Sequence, residues 1–153
     1  CRNFQYKDLV VNSPNSKPSS RSTRCSGSAK LISKHKPARQ VNMGLGGHAK
    51  RAVDGNTDGK YGHKSCTHTH KKHRAWWKVD LKKKYAIHKV VVYNRKDCCS
   101  SRLNNFQVLV DSHVCGKVGK AHAVNTVQCR KRKGRHVTVR LTGTNYLTLC
   151  EVK

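Results

Sequence analysis

Two arginines flank an aspartate and a pair of adjacent cysteines in Arg95-Lys96-Asp97-Cys98-Cys99-Ser100-Ser101-Arg102. Guanidinium groups stay charged and present several donors in a rigid fork. An aspartate between them accepts from one fork and fixes its direction. The plain alternative is a surface salt bridge worth little. Upstream, Ser65-Cys66-Thr67-His68 brings a histidine, and 26 residues lie between His68 and Arg95. His63, Cys66, His68, His70 and His73 crowd together with spacing that could support a metal. No second ligand pair of zinc-finger spacing follows, which favours a polar loop with one functional histidine. Asp54-Gly55-Asn56-Thr57-Asp58-Gly59 is an oxygen-rich turn, in its simplest form an Asx-turn. Catalytic signals are missing: the seven acids form no obvious pair, and neither G-x-S-x-G nor HExxH occurs.

The elements that must position these groups read as short strands. Trp76 to Leu81, the Val-rich Ala86 to Tyr93, Phe106 to Val110, His136 to Leu141 and Tyr146 to Val152 are the candidates. His136 to Leu141 alternates as a half-buried strand does, and Ala86 to Tyr93 reads as a buried one. Gly, Asn, Asp and Ser clusters between them read as turns. The arginine loop therefore follows a strand directly. No segment has convincing helical periodicity, and the simplest architecture is an all-β antiparallel sandwich.

The chain has 153 residues, enough for one domain and one hydrophobic core. Residues 1–28 read as a basic, Ser-rich N-terminal extension, and residues 29–153 as the domain. The chain opens on Cys1 without a signal-peptide core, which reads as a processed or truncated chain. No apolar run approaches the roughly 20 residues of a membrane span. Lys and Arg total 33 against 7 Asp and Glu, a formal charge of +26. Such a charge attracts polyanions, namely sulfated glycans, nucleic acid or anionic lipid. His70 to Arg74 and Arg130 to His136 are the densest basic runs. Each reads either as an anion patch or as a solvated loop between strands. Neither has the interleaved aromatics of a single-strand nucleic-acid groove, so no specific nucleic-acid binding is expected. Eight cysteines, Cys1, Cys25, Cys66, Cys98, Cys99, Cys115, Cys129 and Cys150, suit a disulfide framework and an oxidising, extracellular setting. Their connectivity is open to arithmetic, although a Cys1–Cys25 tether is conceivable. Without CxxC pairs, a cytosolic zinc protein is the weaker reading.

Further segments converge on a resemblance. His68, 26 residues, Arg-x-Asp, four residues and Arg102 form one pattern. His48-Ala49-Lys50-Arg51-Ala52-Val53-Asp54-Gly55-Asn56, Trp76-Trp77-Lys78-Val79-Asp80-Leu81 and Leu149-Cys150-Glu151-Val152 are three more. Together they resemble the F-type lectins (fucolectins) over about residues 29–153. The resemblance implies a discoidin-like β-jellyroll that binds terminal L-fucose without catalysis, in a secreted protein of innate immune recognition. By the resemblance, His68, Arg95 and Arg102 bind the sugar and Asp97 orients an arginine. It also implies a Cys98–Cys99 bridge packed flat against the sugar ring, with Cys66–Cys150 and Cys115–Cys129 as the other pairs. A bridge between neighbours is unusual, because adjacent Cα atoms lie only ~3.8 Å apart. Tyr61, His48 and Leu45 are candidates for an apolar wall against the sugar methyl. The resemblance further implies a structural calcium on the carbonyls of Arg51, Asn56 and Cys150, the carboxylates of Asp54 and Glu151, and Ser65. Family members often gain avidity by oligomerising. This chain departs from the family in its surface lysines and arginines, at Lys64, Lys71, Lys72, Lys82 to Lys84 and Arg130 to Lys133. Copies so charged would repel one another. A rival reading is a cationic adhesion or antimicrobial protein that binds polyanions by charge.

Overall fold

A computed structural model describes residues 29–153. The extension and the Cys1–Cys25 tether fall outside the described residues. Eight strands are present there: β1 (Ala38–Gln40), β2 (Lys72–His73), β3 (Trp76–Tyr93), β4 (Phe106–Val110), β5 (His113–Val118), β6 (Val124–Leu141), β7 (Thr144–Asn145) and β8 (Glu151–Val152). Short 3-10 turns lie at Ala49–Val53, Tyr61–His63 and Ser100–Leu103, and no α-helix occurs among the described residues.

All pairings are antiparallel. The main sheet runs β1-β3-β6-β4-β5, β8 adds to β3, and β2 pairs with β7. The long strands β3 and β6 form its spine. Their ladder breaks between Asp80 and Tyr85 and again between Ile87 and Lys89. Below the first break, β1 joins Trp77 to Val79 and β4 joins Val137 to Leu141. Above the second, β3 pairs with Val124 to Gln128 on one side and β8 on the other. Bulges of this kind let one strand serve both layers of a sandwich.

Alternation explains which residues meet in the core. Trp77, Val79 and Leu81 are buried from β3, and Val137, Val139 and Leu141 from β6. Phe106, Val108 and Val110 come from β4. Beyond the breaks the phase shifts, and Ile87, Val90 and Val92 point inward. The Trp77 indole N–H, the one polar atom of that side chain, donates to the Ala49 carbonyl at 2.9 Å.

Four readings from sequence change in detail. Trp76 to Leu81 and Ala86 to Tyr93 are one strand, because the lysine-rich Leu81 to Lys84 segment bulges without reversing the chain. Ala86 to Tyr93 is half-buried, since Ala86, His88 and Lys89 face solvent. Arg130 to His136 lies inside β6 and is not a loop. Of Tyr146 to Val152, only Glu151 and Val152 are strand. The rest is held otherwise. Thr67 and Thr69 donate backbone N–H groups to the Leu149 and Leu147 carbonyls, at 2.7 and 3.1 Å. Their hydroxyls accept from the N–H groups of the same two leucines.

Candidate functional site

That double attachment positions His68. The side chains of Thr67 and Thr69 turn toward the Leu147 to Leu149 segment, so the residue between them turns the other way. Two glycines fit closely behind it. The Gly44 N–H donates to the His68 carbonyl, and the His68 N–H donates to the Gly47 carbonyl. A Cβ on Gly47 would lie 2.3 Å from the His68 nitrogen, so no larger residue fits there. Gln40 donates to the His68 carbonyl as well.

The His68 ring lies between two tyrosines. Tyr61 meets it edge-on and Tyr146 at a tilt, each with ring centroids 5.6 Å away. Each tyrosine carries an arginine. The Arg95 guanidinium lies 4.7 Å from the Tyr61 ring centre, and Arg102 lies 4.5 Å from that of Tyr146. Both pairs are within cation–π range. The result is a row of side chains: Arg95, Tyr61, His68, Tyr146, Arg102. It joins four separate segments of the chain.

Burial lowers the His68 pKa below the ordinary histidine value, and the positive charges of Arg102 and Arg95 act the same way. The ring is therefore neutral at physiological pH and has both a donor and an acceptor nitrogen. Nδ1 is buried beside the Thr69 backbone without a hydrogen-bond partner.

Arg95 is oriented by Asp97. Its Nε and Nη2 donate to the two carboxylate oxygens, and its side chain is only 13% exposed. Asp97 also accepts from the backbone N–H groups of Tyr61 and Cys98. The Arg95 bond, foremost, holds the Asp97 carboxyl below the usual carboxylate range. Asp97 thus ties the arginine to the tyrosine beneath it. The Lys96 N–H donates to the Gly59 carbonyl and joins the same two loops.

Cys98 and Cys99 are bonded to each other, with Cα atoms 3.7 Å apart. Cys99 has φ 62 and begins the 3-10 turn that carries Arg102. The vicinal bridge therefore lies between the two arginines in the chain. Cys66–Cys150 and Cys115–Cys129 are also formed, which leaves no free cysteine among the described residues. The Cys66–Cys150 bridge ties the His68 loop to β8. The crowded histidines do not converge on a metal. His63 contacts Asp58 and His73 contacts Thr144. Among the described residues no three His, Cys, Asp or Glu side chains form a metal cluster.

The suggested apolar wall is only partly assembled. Tyr61 is in the row, and its hydroxyl donates to the Leu45 carbonyl. Leu45 is 77% exposed beside it. His48 is exposed and lines a separate hollow with Gln40, Met43 and Lys50. Sequence reasoning missed Tyr146. An aromatic five residues before the last acid has no local signal, because its partners His68 and Arg102 come from elsewhere in the chain.

Of the residues suggested for calcium, Asp54 is the one whose carboxylate lies beside that of Glu151. The Glu151 carboxylate is fully buried, and both oxygens accept from the Gly55 N–H, at 3.2 and 3.3 Å. Burial, and then the negative charge of Asp54, raise its pKa to about 8. Asp54, Asn56 and Asp58 accept in succession from the N–H groups of Asn56, Asp58 and Lys60, so the loop is a run of Asx-turns. Ser65 donates to the Lys60 carbonyl and keeps lone pairs. The Arg51 side chain donates to the Cys66 carbonyl and reaches the Tyr61 ring. Two close acids in a strongly basic chain, one of them buried, suit an oxygen-seeking cation.

The chain has recognisable relatives in sequence and in fold. The sequence model of the NedA-like, galactose-binding domain matches residues 51–139. Fucolectin from Anguilla anguilla is 33% identical over 117 residues, which cover 69% of this chain and 74% of that protein. The chain belongs to the fucolectin, or F-type lectin, family. Fucolectin-6 of Anguilla japonica is 40% identical over 115 residues, 69% of this chain and 62% of that one. This F-type lectin chain thus spans less than two thirds of Fucolectin-6. A fucose binding module of Streptococcus pneumoniae superposes with a TM-score of 0.75 at 31% identity, covering 81% of this chain and 96% of the other. The discoidin-like β-sandwich expected from the motifs is the fold of this F-type lectin. Its relatives are lectins and carbohydrate-binding modules, and it is grouped with them and not with enzymes.

Proposed function

We propose that this F-type lectin domain binds terminal L-fucose on glycans through His68, Arg95 and Arg102. The observation that carries the reading is the row Arg95–Tyr61–His68–Tyr146–Arg102, with Arg95 gripped by Asp97. Two guanidinium forks donate to sugar hydroxyls and the ring oxygen. The neutral His68 ring adds a contact that can donate or accept. These groups are oriented before the ligand arrives, which limits the entropy lost on binding. The exposed Cys98–Cys99 bridge, Leu45 and the Tyr61 ring offer apolar surface for the sugar ring and its methyl group. No bond in the ligand is made or broken.

A calcium ion fits the Asp54–Glu151 end of the domain. Asp54 and Glu151 would supply carboxylate oxygens, with carbonyls of Arg51, Asn56 and Cys150 and the Ser65 hydroxyl completing the set. Its contribution would be structural: it would relieve the repulsion between the two acids and hold the loop before Tyr61. Three disulfides support an oxidising, extracellular setting. Recognition of foreign or host glycans in innate immunity, with copies combined for avidity, is the physiological role that suits such a domain.

Calorimetric titration of L-fucose in calcium, at low and high salt, tests the reading. Saturable binding that salt leaves unchanged is expected, because the sugar is uncharged. Absence of heat at either salt overturns it. Arg95→Ala and Arg102→Ala should each abolish most of the affinity while the thermal transition persists.

A further inference from the structure

We propose that the groove between β5 and the first half of β6 is a second ligand site, which binds a sulfated polysaccharide. It is separate from the fucose row and does not depend on that reading. The groove runs between Val114 to Val118 and Thr126 to Lys133. Both walls are strand edges: β5 pairs only with β4, and this half of β6 pairs only with β3. The Cys115–Cys129 bridge spans the two walls and holds their spacing. Lys117, Arg130, Lys131, Arg132 and Lys133 line it, and all five are exposed.

The basic residues are presented by an irregularity in the backbone. Ile87 pairs with Arg132 while Lys89 pairs with Gln128, so β6 holds two more residues than β3 across this interval. Arg130 and Lys131 occupy the excess, at φ 49 and 62. Non-glycine residues rarely take positive φ, and two in succession mark a departure from the pleat. The nearby bulge of β3 is also basic, with Lys82 at φ 72 next to Lys83 and Lys84. A regular strand would alternate these side chains between two faces.

Their charge is not compensated among the described residues. Asp80 binds the Arg135 guanidinium, and Asp111 accepts from the Arg135 and His136 N–H groups. Asp58 and Asp97 are taken by His63 and Arg95, and Asp54 stands beside Glu151. Among the described residues, no carboxylate pairs with Lys117 or with Arg130 to Lys133. Lysine on an exposed strand edge commonly serves only to discourage edge pairing. One or two would do that, whereas five converge on this single groove.

The lining favours one polyanion. It contains no Trp, Tyr, Phe or His, so bases have nothing to stack on. It is concave and has no aromatic wedge for a bilayer. Sulfate groups need only forked or point-charge donors, which Arg and Lys provide. Along β3, Ile87 lies six residues before Tyr93, about 20 Å from the end that leads to Arg95. Fucose and a sulfated chain can therefore occupy the domain together.

The test measures heparin binding of the whole 153-residue chain at physiological salt. The variant replaces Arg130, Lys131, Arg132 and Lys133 by Ser. The control replaces Lys34, Lys36, Lys71 and Lys72 by Ser and removes the same charge elsewhere. The groove variant should lose roughly tenfold or more in affinity with a shallower salt dependence, and the control should change by about twofold or less. Thermal unfolding confirms that both variants fold; should the quadruple variant not, R130S/K131S takes its place. Excess L-fucose should not displace heparin. Equal losses in the two variants would overturn the site. So would tighter binding to single-stranded oligo-dT, or to phosphatidylserine vesicles, than to heparin of matched charge.

Discussion

The rings of His68 and Tyr146 lie with centroids 5.6 Å apart, although they come from loops on opposite sides of β3 and β6 in the chain. Tyr146 also lies under the Arg102 guanidinium. It therefore positions at once two of the side chains proposed to bind the sugar. Tyr146→Ala should weaken fucose binding roughly tenfold or more, whereas Tyr146→Phe, which keeps the ring, should bind within about threefold of the parent. Titration calorimetry separates the two. Equal losses would mean that the hydroxyl matters and the ring does not.

Asp97→Asn removes the charge that holds Arg95 while conserving shape. The guanidinium loses a two-point ionic partner, and Tyr61 loses an acceptor tied to the same carboxylate. Fucose affinity should fall roughly tenfold. The midpoint of thermal unfolding should move little, since the pair is partly exposed. A variant that binds normally would show that Arg95 needs no orientation.

If the proposed calcium site is occupied, Glu151 should make the response to calcium a function of pH. Its folded pKa of about 8 lies above the ordinary value of 4.5. Without a cation, the contribution of this group is most favourable below 4.5. It is lost progressively as pH rises through 8, because the buried carboxylate must then ionise. Calcium should therefore raise the unfolding temperature strongly at pH 8 and little at pH 4.5. Glu151→Gln should lose most of the calcium response at both values. A calcium response that survives in the variant would place the ion elsewhere.

His68 gives the opposite sign. Burial lowers its folded pKa below 6.5. Stability from keeping the ring neutral is complete above 6.5 and declines as pH falls from there through the folded value. Fucose affinity and denaturation midpoint should fall together across that interval. In His68→Asn the decline in stability should be shallower. Parallel curves for parent and variant would assign the titration to other histidines.

Removing the Cys66–Cys150 bridge by a double Ala substitution should cost about 4–5 kcal/mol, because it closes a loop of 84 residues. Chemical denaturation measures this. Fucose binding should weaken further than stability alone explains, since the bridge also ties the His68 loop to β8. Unchanged affinity in the folded variant would show that the Thr67 and Thr69 bonds suffice to hold that loop.

Much of this molecule is written in short range. Alternation through His136 to Leu141 marked a strand, because the period of the side chains is a property of the strand itself, and Phe106 to Val110 was legible as another, which the fold buries throughout. The spacing of His68, Arg95, Asp97 and Arg102, with the segments around Asp54, Trp76 and Cys150, determined the family and hence the sandwich. Tertiary structure decided what depends on register and distant partners. The lysine-rich Leu81 to Lys84 segment separated two strand readings, yet β3 continues because β6 pairs on both sides of the bulge. Tyr146 to Cys150 has strand composition, yet Thr67 and Thr69 hold it as an irregular segment. Only folding brought Tyr146 to His68, buried Glu151 near Asp54, and gathered Arg130 to Lys133 opposite Lys117. Each of these pairs is far apart in the chain, so no local pattern of residue types could have announced it.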